Sequence, residues 1–139
     1  DKDGNTSHFT GSNILGTNAV SEKSNCIAAG NLLSNLGVAD AMADGFNSDN
    51  NLHLAERLLI GLESGLKAGG EAGPVHSAAL IVVDQTKFPL VDLRVDWEEE
   101  DAVPKLRMLW SAYEPQMLDY LNRALNPAIA PSYGVAGDL

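Results

Sequence analysis

HSAALIVVDQTKFPLVDLRVD, residues 76–96, contains two different periodicities, and their contrast decides the fold class. Ser77 to Val83 is a continuous apolar run, which predicts a strand buried on both faces. Leu90 to Asp96 alternates instead: Val91, Leu93 and Val95 fall on one side, Asp92, Arg94 and Asp96 on the other. The second strand is therefore a return strand with one polar face.

Upstream, two helical patterns precede this pair. Val38, Ala41, Met42, Gly45 and Phe46 recur at helical spacing, and FNSDNN (46–51) ends that helix. Asn50 or Asn51 is then expected to cap a second helix with an apolar face of Ala55, Leu58, Leu59, Leu62 and Leu66, ended by Gly69-Gly70. Further upstream, Asn25 to Ala29 predicts a short strand that stops at Gly30-Asn31, and Thr10 to Asn25 has the Gly, Ser, Asn and Thr content of a loop. Asp1 to Asn5 (DKDGN) has the chemistry of a hairpin turn, with Thr6 to Phe9 as its second arm, so a preceding strand is expected outside the chain. Downstream, Asp101 is a good N-cap for a helix carrying Val103, Leu106, Leu109, Trp110 and Tyr113 inward. Pro115 kinks or restarts that helix. After Leu125 the Pro/Gly-rich tail is expected to lie extended over a surface. Two consecutive helices followed by an antiparallel return define a layered α+β fold, not an alternating parallel sheet.

Charge and composition narrow the function classes. The 139 residues carry 9 basic against 19 acidic side chains, a formal net charge of -10, which opposes nucleic acid and anionic membrane surfaces alike. Nowhere does an apolar run reach the length of a transmembrane helix, about 18 residues or more. DKDGNTSHF lacks the pattern of a signal peptide. These features favour the cytoplasm over secretion, although any upstream leader would decide the compartment. The single cysteine, Cys26, excludes an intrachain disulfide.

Polar groups that could do chemistry gather in two places. Gly30 permits close approach of backbone to a ligand, and Asn31 supplies amide donors or a helix cap; an ordinary strand-to-helix turn explains the pair equally well. Ser77 follows His76 at the entrance to the apolar strand, where adjacent residues point to opposite faces, so the two do not form a catalytic dyad. Cys26 has His8, His53 and His76 as conceivable bases, yet a lone cysteine in a short strand is typically a small buried hydrophobe. Arg94 is expected to pair with Asp92 or Asp96. The spacing of histidines and carboxylates matches no metal-binding pattern, and no cofactor is called for. Trp97, Trp110, Tyr113 and Tyr120 fit helix packing better than a ligand cage.

A family resemblance extends this reading. FTG (9–11), AAGNLL (28–33), LAERLLIGLESG (54–65), AGG (68–70), HSAALIVV (76–83) and VDLRVD (91–96) occur in the order found in the C-terminal two-thirds of the bacterial family called domain of unknown function 1028. RALNPAIAPSYGVAGD (123–138) resembles tails on a subset of that family. The resemblance implies an N-terminal-nucleophile (Ntn) hydrolase: a four-layer αββα sandwich in which a Thr, Ser or Cys at a chain start attacks an amide carbonyl, its own α-amine serving as base. Residues 1–125 would form part of that domain and 126–139 a tail.

Position 1 here is Asp1, so the nucleophile is expected outside this chain. By analogy of position, Gly30 and Asn31 would stabilise an oxyanion and Ser77 would orient the nucleophile's amine, while His76 stands where family members often have Gln. The expected partners are a companion N-terminal polypeptide or a second copy, and a small-molecule or peptide-like substrate. The competing expectations are a non-catalytic module binding a small ligand or peptidoglycan fragment, and an inactive proteolytic fragment.

Overall fold

The computed structural model of the chain describes residues 1 and 3–135. The architecture is α+β, with two small antiparallel hairpins set against helices. The first hairpin joins β1 (Ala19–Lys23) to β2 (Cys26–Gly30), in a register that pairs Lys23 with Cys26 and Ala19 with Gly30. Its two-residue turn places Asn25 at a φ of 53°, a left-handed conformation that Asn tolerates better than most side chains. Strand β1 lies inside the stretch expected to be loop. Thr6 to Phe9 form no strand, although the preceding turn is present, with the Gly4 N–H donating to the Asp1 carbonyl at 3.1 Å. Small polar residues disguise β1: pairing with β2 holds AVSEK extended, and its own apolar pattern is too thin to announce it.

Helices α1 (Val38–Phe46) and α2 (Leu54–Lys67) follow. They approach closely because glycines face across the crossing: a Cβ at Gly65 would overlap the Met42 side chain. The buried face of α1 is Val38, Ala39, Ala43 and Phe46, shifted from the expected Ala41 and Gly45, because Ala39 and Ala43 pack under Ala28 of β2. His53, and neither Asn50 nor Asn51, caps α2, its Nδ1 accepting from the Ala55 N–H at 3.2 Å. Asn50 is held by Arg57 (2.7 Å) and Asn51 by Asp49, which removes both from the cap position. Gly69 and Gly70 end the helix at φ values of 124° and 58°, and the Gly70 N–H returns to the Gly65 carbonyl at 2.9 Å.

The second hairpin pairs β3 (Ala78–Val82) with β4 (Val91–Val95), Leu80 opposite Leu93. Leu80, Val82 and Val91 join Leu59 of α2 in the main core. Leu106 and Trp110 complete it from α3 (Ala102–Tyr113), which starts on the expected Asp101 cap with Oδ1 accepting from the Val103 N–H at 3.0 Å. Leu109, expected inward, is 40% exposed. Strand β3 is not buried on both faces: Ile81 is 57% exposed, because helices cover only one side of this hairpin among the described residues.

Beyond α3, Pro115 sits in a 3-10 turn (Glu114–Gln116) that restarts the chain as α4 (Met117–Leu125). The tail contains a further 3-10 turn at Pro127–Ile129 and folds back on α4: the Arg123 guanidinium lies 3.7 Å from the Tyr133 ring centre and donates to the Pro131 carbonyl at 2.7 Å. The extended tail expected over 126–139 is thus partly turned, and its last four residues lie outside those described.

Candidate functional site

Strand alternation sorts the candidate residues by face. On β2, Ala28 points at α1, so Ile27, Ala29 and then Asn31 point away from it. On β3, Leu80 and Val82 point into the core, so Ser77, Ala79 and Ile81 point away from α2 and α3. Asn31 and Ser77 therefore both belong to faces turned away from the helices.

Between β2 and β3 runs an apolar groove, described by two adjoining cavities. The first, about 330 Å³, has Cys26 to Ala29 on one wall and Ala79 to Ile81 on the other, with Leu62 between. The second, about 340 Å³, shares Ala29 and Leu62 and continues past Gly30 and Asn31 to Glu71 and Val75. Gly30 and Asn31 therefore sit at one end of the groove, where Glu71 and Val75 lie across from them. Ser77 itself lines a separate shallow hollow with Arg94 and Asp96. The structure does not place the candidates in one cavity: Gly30 and Asn31 line the groove, and Ser77 the hollow beside β4.

Local contacts explain each position. Gly30 has ordinary backbone angles, and its need for glycine is steric: a Cβ would come within 2.9 Å of the Leu33 Cδ2. Asn31 does not cap α1, whose N-cap is Gly37; its Nδ2 donates to the Leu15 carbonyl at 3.3 Å. The N–H groups of Leu32 and Leu33 tie down the same loop through Leu15 and Thr17, at 3.3 and 2.9 Å. His76 is structural: its Nδ1 lies 2.6 Å from the Glu98 carbonyl, which can only accept, so this nitrogen carries the proton. Its ring stacks on Trp97 at 4.3 Å, which puts Trp97 on a strand end, away from the expected helix packing.

Cys26 lines the groove wall, and burial raises its thiol pKa, an effect that Arg57 and Lys23 only offset in part. A thiol held neutral is a poor nucleophile. The three histidines are engaged elsewhere: His8 with Glu22 at 3.6 Å, His53 at the α2 cap, and His76 as above. Arg94 pairs with Asp96 at 2.5 Å on the exposed face of β4, as the alternating pattern implied.

A cluster that sequence reading missed lies between α2 and α3. Arg107 meets Glu63 through Nε and Nη2 (2.7 and 2.9 Å) and Glu56 through Nη1 (2.6 and 2.7 Å); the Trp110 Nε1–H also donates to Glu56 at 2.7 Å. Burial raises the Glu56 pKa, but the bonds from Arg107 and Trp110 outweigh it and hold the carboxyl below its ordinary value. Glu63 first, then Glu56, push the Arg107 pKa up. The available signal was spacing: Glu56 and Glu63 are seven apart on one helix, and Arg107 and Trp110 three apart on another. With every charged member paired, the cluster is a clasp between helices.

The model of a family of unknown function, DUF1028, matches residues 1–106. A crystal structure of a Silicibacter pomeroyi protein described as belonging to the same family superposes with a TM-score of 0.73 at 29% identity. The match covers 84% of this chain and 50% of that one, so the chain spans half the length of this relative. No curated protein matches the chain. Among the described residues, no helix is long and apolar enough to cross a membrane. The chain belongs to the DUF1028 family.

Proposed function

We propose that this chain is part of an amide-bond hydrolase of the Ntn type, with its hairpins forming one sheet of a four-layer αββα sandwich. The observation that carries the reading is that Gly30 and Asn31 line one end of the groove beside β2, while Ser77, just before β3, belongs to a face turned away from the helices. In this reading the nucleophile lies outside residues 1–139. A backbone N–H near Gly30, or the Asn31 amide, would donate to the tetrahedral oxyanion, and the Ser77 hydroxyl would orient the nucleophile's amine. The exposed apolar side chains of Ile81 and Val83 support a second layer, since a sheet face that packs on another sheet carries such residues.

The test uses the complete protein, containing the nucleophile-bearing segment, against a panel of small amides and peptides. Asn31→Ala should lower kcat by roughly 10²–10³, equivalent to about 3 kcal/mol, with the melting temperature little changed. Ser77→Ala should lower kcat/KM and shift the pH profile of the nucleophile's amine. Wild-type rates in both variants would remove these residues from the site.

One observation favours a second reading, a module that binds a small ligand without turnover: the Asn31 Nδ2 already donates to Leu15, and so serves the loop. Thermal stabilisation by a ligand with no product formed would support binding over hydrolysis. A companion polypeptide or a second copy of the chain is the expected partner under either reading.

A further inference from the structure

The groove between β2 and β3 has walls made of strand edges. In each hairpin the strand has one neighbour: β2 pairs only with β1 and β3 only with β4 among the described residues. The two-residue turn at Ser24-Asn25 makes Lys23 and Cys26 a hydrogen-bonded pair, so the N–H and C=O of Ile27 and Ala29 point away from β1, toward the groove. An edge of this kind is a template for another strand. The usual protections are absent: the facing segments Cys26–Gly30 and Ala78–Val82 contain neither charge nor proline, and the floor is supplied by Met42, Phe46, Leu58 and Leu62.

We infer that this groove is the seat of an extended, apolar segment of polypeptide that pairs with both edges and joins the two hairpins into one sheet. The walls run in opposite directions: one advances from Cys26 in β2 to Asn31 just past it as the other falls from Ile81 to Val75. A β-hairpin therefore fits best, since two inserted strands make every pairing antiparallel, whereas a single strand would lie parallel to one wall. The groove extends over Cys26 to Asn31, about 20 Å at the rise of a strand, enough for strands of five or six residues. The occupant is a hairpin from the part of the similar Silicibacter pomeroyi protein that lies outside its match to this chain. The similar Silicibacter pomeroyi protein has half its length outside the match, ample for such a hairpin. This inference does not rest on the hydrolase reading. A complex without amide cleavage would end that reading and leave this one standing.

The experiment mixes the full 139-residue chain with the unmatched half of the Silicibacter pomeroyi protein, produced as a separate polypeptide. Sedimentation gives the stoichiometry, and hydrogen exchange reports the amides of Ile27, Ala29 and β3. The expected result is a one-to-one complex in which those amides slow by at least tenfold. Ala29→Pro removes one outward N–H without touching the pairing to β1, and should weaken the complex at least tenfold while the β1–β2 amides keep their protection. The exchange measurement on the unaltered chain decides the matter should that variant unfold. Absence of a complex up to the solubility limit would overturn the inference. So would a complex that leaves these amides unprotected, or protection that arises from pairing of two copies of this chain.

Discussion

The two hairpins differ in what holds them. The β3–β4 hairpin lies on large side chains, with Leu80, Val82 and Val91 against Leu59, Leu106 and the 1%-exposed Trp110. The β1–β2 hairpin lies on α1 through Ala28, Ala39 and Ala43, a contact made of methyl groups. Apolar stabilisation scales with buried area, so the second hairpin is anchored by dispersion and burial. The first depends on closeness of approach and on polar bonds such as the Ser21 hydroxyl to Asp40 at 2.6 Å. Close-packed small residues give a contact that tolerates little change in volume.

Substitutions should separate the two anchors. The largest effect is expected for Trp110→Ala, which empties the main core and removes the donor to Glu56. It should cost about 3–5 kcal/mol, measured by urea unfolding. Ala43 is fully buried, so Ala43→Leu should cost about 1–3 kcal/mol from overpacking, with exchange faster in β1–β2 than in β3–β4. A neutral Ala43→Leu would mean that the first hairpin has room to move off α1.

The Glu56 clasp belongs to the β3–β4 side and adds a pH dependence there. Its folded pKa lies below the ordinary carboxyl value, so its contribution is fully present above about pH 4.5 and is lost as pH falls through the folded value. Glu56→Gln should flatten the acid limb of the stability curve and cost roughly 1–3 kcal/mol at neutral pH, because Arg107 and Trp110 lose a charged acceptor. An unchanged acid limb would show that the clasp does not couple to folding. The smallest effect is expected for Ile81→Thr on the helix-free face of β3, within about 0.5 kcal/mol for the chain by itself. A larger loss would mean that this face is already covered in solution.

Where the sequence could be read, the signal was local. Alternation placed Val91, Leu93 and Val95 on the inner face of β4, and Asp101 marked the start of α3 through a side chain two residues from its donor. Pro115 fixed the restart into α4 for an equally local reason, its missing N–H. Ser77, Gly30 and Asn31 could be placed on strand ends, but their relation to one another could not, since it depends on how the two hairpins lie across α1 and α2.

The sequence by itself determined the α+β class, the helices and the two faces of β4, because helix period, strand alternation and capping act within a few residues. Tertiary structure alone decided that β1 forms in a polar stretch, that His53 and not Asn50 caps α2, and that Ile81 faces outward. It also decided that Glu56, Glu63 and Arg107 meet, the acids lying 51 and 44 positions from their partner in sequence. Each of those outcomes depends on which surface arrives opposite a residue, and that is a property of packing between elements distant in the chain.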